Sequence, residues 1–121
     1  MVIHGDARGF VFEPITTAEL FAQRNVHAVL TEPGAIRGNH FHQRGTEISV
    51  VIGPGLVRVR LTEGVRDFNI PKGEAWRFVF PPGVPHAFKN TGGDVQFMVA
   101  FNTEAHDPAL PDVVREVLIE S

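Results

Sequence analysis

His40 and His42 stand one residue apart in the segment Arg37-Gly38-Asn39-His40-Phe41-His42. On a β-strand, residues i and i+2 share a face, with Cα atoms about 6.6–6.8 Å apart. Two imidazoles projecting from that spacing can converge on one cation. Glu47 follows five residues after His42, beyond the polar turn Gln43-Arg44-Gly45, at the start of the next expected strand. A hairpin at that turn brings the Glu47 carboxylate beside both rings. A third imidazole, His86, comes after Pro81-Pro82-Gly83-Val84-Pro85 and is expected from a facing strand on the opposite wall. Three neutral imidazoles and one carboxylate form a donor set of net charge −1. That set suits a divalent transition metal (zinc, iron, manganese, nickel or cobalt) and leaves positions for water or substrate. A single strand histidine is ordinarily a packed or hydrogen-bonded residue. It is the combination of spacings that points to a metal.

These side chains need a scaffold with several strands in register, and the chain is patterned for one. Turn formers divide it at short intervals: Pro33-Gly34, Gly53-Pro54-Gly55, Pro71-Lys72-Gly73, Pro81-Pro82-Gly83 and Thr91-Gly92-Gly93-Asp94. Between them lie runs with period two. Val57, Val59 and Leu61 alternate with Arg58 and Arg60; Trp76, Phe78 and Phe80 alternate with Arg77 and Val79; Val95, Phe97, Val99 and Phe101 share one face. Strands are expected at Val26–Thr31, Arg37–His42, Glu47–Ile52, Leu56–Leu61, Asp67–Ile70, Ala75–Phe80, Val84–Asn90 and Val95–Phe101. Eight or so strands at about ten-residue spacing indicate an all-β sandwich or barrel. Before them, Gly9–Glu13 reads as a short strand ended by Pro14. Thr16-x-x-Glu19 reads as a capping box opening about two helical turns. At the far end, Asp112 is expected to cap a short C-terminal helix, Val113–Leu118.

Composition narrows the classes. The 121 residues make one domain, 1–121, with room for a single core. Twelve Gly and nine Pro favour short strands over long helices. With no Cys there is no disulfide framework, no iron–sulfur cluster and no thiolate zinc site, so any transition metal must be held by His and carboxylate. A net charge of −3 without a Lys/Arg run argues against a nucleic-acid surface. The longest apolar stretch, Phe97–Phe101, is too short to span a membrane. Residues 1–8 do not read as a secretory signal, so a soluble cytoplasmic protein is expected.

The pattern Gly34-(five residues)-His40-x-His42-(four residues)-Glu47 resembles the first cupin motif, and Pro81-x-Gly83-(two residues)-His86-(three residues)-Asn90 resembles the second. Two turn glycines depart from the pattern. Gly53 and Gly55 straddle the position expected after Glu47, and Ala75 stands where the second motif opens on Gly. The resemblance implies a double-stranded β-helix, the cupin jelly roll, with His40, His42, Glu47 and His86 as metal ligands inside the barrel. A narrower resemblance adds Asp6-x-Arg8-Gly9-Phe10, Ile70-Pro71, His106-Asp107-Pro108 and Pro111-Asp112. With these the chain is similar to the cupin domain of the bifunctional reductase-epimerases of capsular-polysaccharide synthesis. In that family the domain resembles a C3 epimerase of a 4-keto nucleotide sugar and carries zinc. These 121 residues contain no G-x-G-x-x-G and no βαβ unit, so a reduction step would fall to a separate partner.

The Arg37-Gly38-Asn39-His40 segment also resembles dTDP-4-dehydrorhamnose 3,5-epimerase. That family is metal-free, uses the His as base and the Arg on the diphosphate, and has a Tyr as general acid. This chain has no Tyr, so the metal-bearing mechanism is favoured. A Lewis acid at a carbonyl oxygen supplies several kcal/mol of enolate stabilisation. The base would be metal-activated water or a non-ligand histidine such as His27. Arg37 is the expected contact to an anionic substrate. His4 and His106 are expected to be solvated, and Trp76, Phe78 and Phe80 to pack in the core or a dimer interface. The expected function is a metal-binding cupin acting as an epimerase or isomerase on a keto-sugar nucleotide. The alternatives are a non-catalytic sugar-binding or auxiliary cupin and an iron-dependent dioxygenase. A homodimer is expected, because the arm Met1–Phe12 and the apolar strands offer an edge for a second copy to cover.

Overall fold

The computed structural model describes residues 1–121. An N-terminal hairpin, β1 (Ile3–Asp6) and β2 (Gly9–Phe12), is followed by one helical turn, α1 (Thr17–Leu20). Nine strands complete the chain: β3 (Asn25–Thr31), β4 (Ile36–His42), β5 (Glu47–Ile52), β6 (Gly55–Leu61), β7 (Gly64–Ile70), β8 (Ala75–Phe80), β9 (His86–Lys89), β10 (Gln96–Asn102) and β11 (Val113–Arg115). They form two antiparallel sheets, ordered β3-β10-β5-β8 and β11-β4-β9-β6-β7. The turn spacing predicts such an all-β sandwich, and the cupin resemblance implies the jelly roll that is seen. No helix is long and apolar enough to cross a membrane.

The two sheets meet over an apolar core. Val51, Phe80 and Met98 come from one sheet, and Val57, Val59, Ile70 and Phe88 from the other. β6 shows why the pattern works. Val57 and Val59 are buried, while Arg58 points out and bonds Asp67, its cross-strand partner on β7, through two nitrogens. On β10 the expected face of Phe97, Val99 and Phe101 is the outer one. The inner face carries Gln96, Met98, Ala100 and Asn102, of which Gln96, Met98 and Asn102 are buried. Trp76 and Phe78 pack against the core, and Phe80 belongs to it.

The ends differ from expectation in three places. The Thr16–Glu19 capping box is present, but the helix makes a single turn. Ala22 and Gln23 already bond three residues back, to Glu19 and Leu20, so the chain tightens and leaves the helix. β1 was not expected; it pairs with β2 along its whole length. The expected C-terminal helix at Val113–Leu118 is instead a strand. β11 pairs Val113 with His42, Val114 with Phe41 and Arg115 with His40. The Asp112 carboxylate accepts the backbone N–H groups of Arg44 and Gly45. It is therefore occupied by another turn, and the β-branched pair Val113-Val114 completes the free edge of β4.

Candidate metal centre

β4 is not a regular strand. Gly38 (φ 79°) and Asn39 (φ 58°) both adopt left-handed backbone, and the β4–β9 register shifts between Gly38 and His40. The extra residue makes a bulge, which re-aims the side chains that follow. A Cβ on Gly38 would lie 2.9 Å from the His86 carbonyl oxygen, so only glycine allows β4 this close to β9. Asn39 turns its side chain to the C-terminal tail, accepting from Leu118 and Ile119 N–H and donating to the Ile119 carbonyl. Beyond the bulge, His40 becomes the direct cross-strand partner of His86.

The four residues singled out by spacing converge. One donor atom from each of His40, His42, Glu47 and His86 lies within 4.8 Å of the others, so the cluster could hold a metal ion. Their origins differ from expectation. His86 belongs to β9, the neighbour of β4 in the same sheet, and Glu47 comes from the opposite sheet. The turn after His42 is not a hairpin. It carries the chain from one sheet to the other, because β5 pairs with β8 and β10 rather than with β4.

The interior positions are tightly defined. His86 is fully buried and stacks on Phe80, with ring centroids 3.9 Å apart and planes 9° apart. Its Nδ1 lies 2.9 Å from the Val84 carbonyl, which can only accept, so the proton sits on Nδ1. Nε2 then presents a lone pair into the cluster and has no hydrogen-bond partner. Its nearest acidic oxygen, Glu47 Oε2, is 3.5 Å away. A buried lone pair aimed at a carboxylate is unfavourable unless a positive charge lies between them. This orphaned atom is the observation that best fits a cation. Glu47 is anchored on both sides: Ser49 Oγ donates to Oε2 at 2.6 Å, and His42 Nε2 lies 2.8 Å from Oε1.

The electrostatics favour the ligating forms. Burial alone raises the Glu47 pKa, but the contacts with His42 and Ser49 and the nearness of His86 more than reverse it, holding the carboxyl well below its usual range. His40 is pushed down to about 4, first by burial and then by the neighbouring His86 ring. The carboxylate is therefore charged and the His40 imidazole neutral near pH 7.

Above the cluster opens a cavity of about 540 Å³, with Val29, Phe88 and Met98 on its apolar wall. Arg37, singled out in the sequence as a contact to an anionic substrate, lines it. Its guanidinium bonds the Leu30 carbonyl and the Thr31 hydroxyl rather than a carboxylate. His27 also lines the cavity and is exposed. His106, expected to be solvated, is exposed and reaches the same cavity together with Glu104 and Asp107. Sequence reasoning missed Ser49, because a strand serine gives no signal of its own. It also missed the bulge residue Asn39.

The family model for the polysaccharide biosynthesis C-terminal domain matches residues 4–114. No curated protein matches. Among solved structures, the capsular polysaccharide assembling protein CapF of Staphylococcus aureus is 22% identical, with a TM-score of 0.71. The match covers 97% of this chain and 34% of CapF, so this chain spans about a third of that protein. The QdtA 3,4-ketoisomerase of Thermoanaerobacterium thermosaccharolyticum, a double mutant in complex with TDP, is 15% identical with a TM-score of 0.72, covering 95% of this chain and 83% of QdtA. The 3'-monoepimerase ChmJ of Streptomyces bikiniensis, in complex with dTDP-quinovose, is 22% identical with a TM-score of 0.70, covering 89% and 63%. At these identities the likeness is one of fold.

Proposed function

Given that the chain belongs to the polysaccharide biosynthesis C-terminal domain family, we propose that it is a metal-binding cupin acting as an epimerase or isomerase on a keto-sugar nucleotide. The observation that carries this reading is the buried His40–His42–Glu47–His86 cluster, with its unpaired His86 Nε2, at the base of an open cavity. Solved structures of the same fold support it: QdtA was captured with TDP and ChmJ with dTDP-quinovose.

In this reading His40, His42, Glu47 and His86 hold a divalent transition metal, and zinc is the first candidate. A bound cation supplies Lewis-acid stabilisation of negative charge on a carbonyl oxygen. The remaining steps belong to the chain. Arg37 binds the diphosphate at the rim. Val29, Phe88 and Met98 keep water from one side of the sugar. A proton alpha to the ketone is taken by a histidine that faces the cavity but lies outside the cluster; His27 is our assignment, with His106 as the competing candidate. A proton delivered from water to the opposite face of the enolate inverts the carbon; return of the abstracted proton to the former carbonyl carbon, with the adjacent hydroxyl proton passing to the carbonyl oxygen, shifts the ketone.

Incubation of metal-loaded protein with a 4-keto-6-deoxy sugar nucleotide in heavy water tests the reading. Deuterium entering a ring carbon supports it. Tight binding of the nucleotide sugar without exchange reduces the protein to a sugar-binding module. We further propose that residues 1–121 act as one domain and that two copies associate. The hairpin β1–β2 leaves Ile3 and Val11 exposed, and an isolated two-stranded hairpin is marginal in water. Sedimentation at micromolar concentration should give twice the chain mass; a monomer would refute the dimer alone.

A further inference from the structure

We propose that Asp112 is a positioning residue for the metal centre, accepting the Nδ1 proton of His42 and so presenting His42 Nε2 to the cation. The inference rests on the metal reading above and extends it to a residue that does not touch the ion.

The His42 ring lies between two carboxylates. Glu47 Oε1 is 2.8 Å from Nε2, and Asp112 Oδ2 is 3.6 Å from Nδ1. A neutral imidazole carries one proton, and its two nitrogens compete for it. Facing Glu47 without a cation, the favourable place for the proton is Nε2. To ligate through Nε2, the ring must hold its proton on Nδ1, and there the acceptor within reach is Asp112. Closing 3.6 Å to hydrogen-bond distance takes a movement of roughly 0.7 Å. Metal-ligating histidines almost always donate their second N–H to such a partner.

Asp112 is built into place. Oδ1 accepts from Arg44 N–H at 2.7 Å and Oδ2 from Gly45 N–H at 3.0 Å. Its own carbonyl accepts from Gln43 N–H at 2.9 Å. A Cβ on Gly45 would come within 2.9 Å of Oδ2, so the glycine admits the carboxylate. The next residue, Val113, is the direct cross-strand partner of His42. Arg44 reinforces the segment by donating to the Leu110 carbonyl and by pairing with Glu104 and, at 3.6 Å, with Asp112 Oδ1. The tail that crosses the cavity mouth is thereby coupled to one metal ligand.

Zinc affinity, measured by competition with a chromophoric chelator, tests this in the full chain. The metal-free melting temperature is recorded alongside it. D112A should weaken zinc binding by about ten- to a hundredfold, and D112N by less. R44A, which loosens the tail and removes the pairing to Asp112 Oδ1 but keeps the carboxylate and its two backbone donors, should bind zinc within about twofold of the parent. Nitrogen-15 imidazole spectra of the zinc-loaded parent should place the His42 proton on Nδ1. Ligation of zinc through Nδ1 would overturn the inference even if D112A fails to fold. So would a D112A affinity equal to the parent's, or an R44A loss as large as that of D112A. A parent that binds no zinc removes the metal reading itself, which separates the two failures.

Discussion

His42 and Glu47 face each other from opposite sheets across 2.8 Å, and neither is more than a tenth exposed. The contact fills this part of the interior with polar atoms, whereas farther along β5 and β6 it is filled by Val51 and Val57. A cation shared by these groups would therefore hold the sheets together as well as supply chemistry, because metal binding energy is also folding energy.

Replacing His42 or His86 by Ala should abolish metal binding and the stabilisation that comes with it. At metal a hundredfold above its dissociation constant, the parent gains about 2.7 kcal/mol and a ligand variant almost nothing. H86A should also lower the metal-free melting temperature more than H42A does, since it removes the ring stacked on Phe80. Thermal melts with and without zinc check both points.

Acid should destabilise the metal-free protein. His40 is held at about 4 when folded against 6.5 in the free side chain, so between those values the unfolded chain binds the extra proton. Stability then falls as pH drops from about 6.5 toward 4. Glu47, lowered from 4.5, adds a second loss below that pH. Above pH 6.5 neither group contributes a slope. Urea midpoints across pH 7.5 to 4 should show this shape, and H40A should flatten its upper part.

Gly38→Ala should damage the centre without touching a ligand. The residue sits at φ 79°, and the new Cβ would meet the His86 carbonyl at 2.9 Å. Left-handed strain alone costs about 1–3 kcal/mol. The expected result is a lower melting temperature together with weaker zinc binding, because His40 and His86 move apart.

The clustering of His40, His42, Glu47 and His86 was legible because it depends on local spacing: a one-residue gap on a strand, and a proline-rich turn before His86. The turns were legible for the same reason. Which wall each of the four comes from was not, because the pairing of His40 with His86 and the crossing to β5 are non-local. Asp112 illustrates a subtler limit. The sequence predicts that it caps a helix over Val113–Leu118, which the structure replaces by a strand; its carboxylate does accept two backbone N–H groups, but from Arg44 and Gly45, 68 and 67 residues away. The capping box at Thr16 and Glu19 involves neighbours in sequence, and it appears as expected.

Arg37→Ala should separate substrate binding from metal binding. Arg37 bonds the Leu30 carbonyl and the Thr31 hydroxyl, so its charge is free for an anion. Hydrogen bonds to charged groups contribute about 1.5–3 kcal/mol, so affinity for a nucleoside diphosphate sugar should fall roughly ten- to a hundredfold. Zinc content should not change. Calorimetric titration with the nucleotide sugar, paired with elemental analysis, checks the split.

Elemental analysis of the purified protein, followed by chelation and a thermal melt, tests the metal centre most directly. The account predicts one divalent transition metal per chain, a clear fall in melting temperature on chelation, and recovery when zinc is restored. A metal-free protein that takes up no zinc, nickel, manganese or iron, and melts at the same temperature with or without chelator, would contradict it.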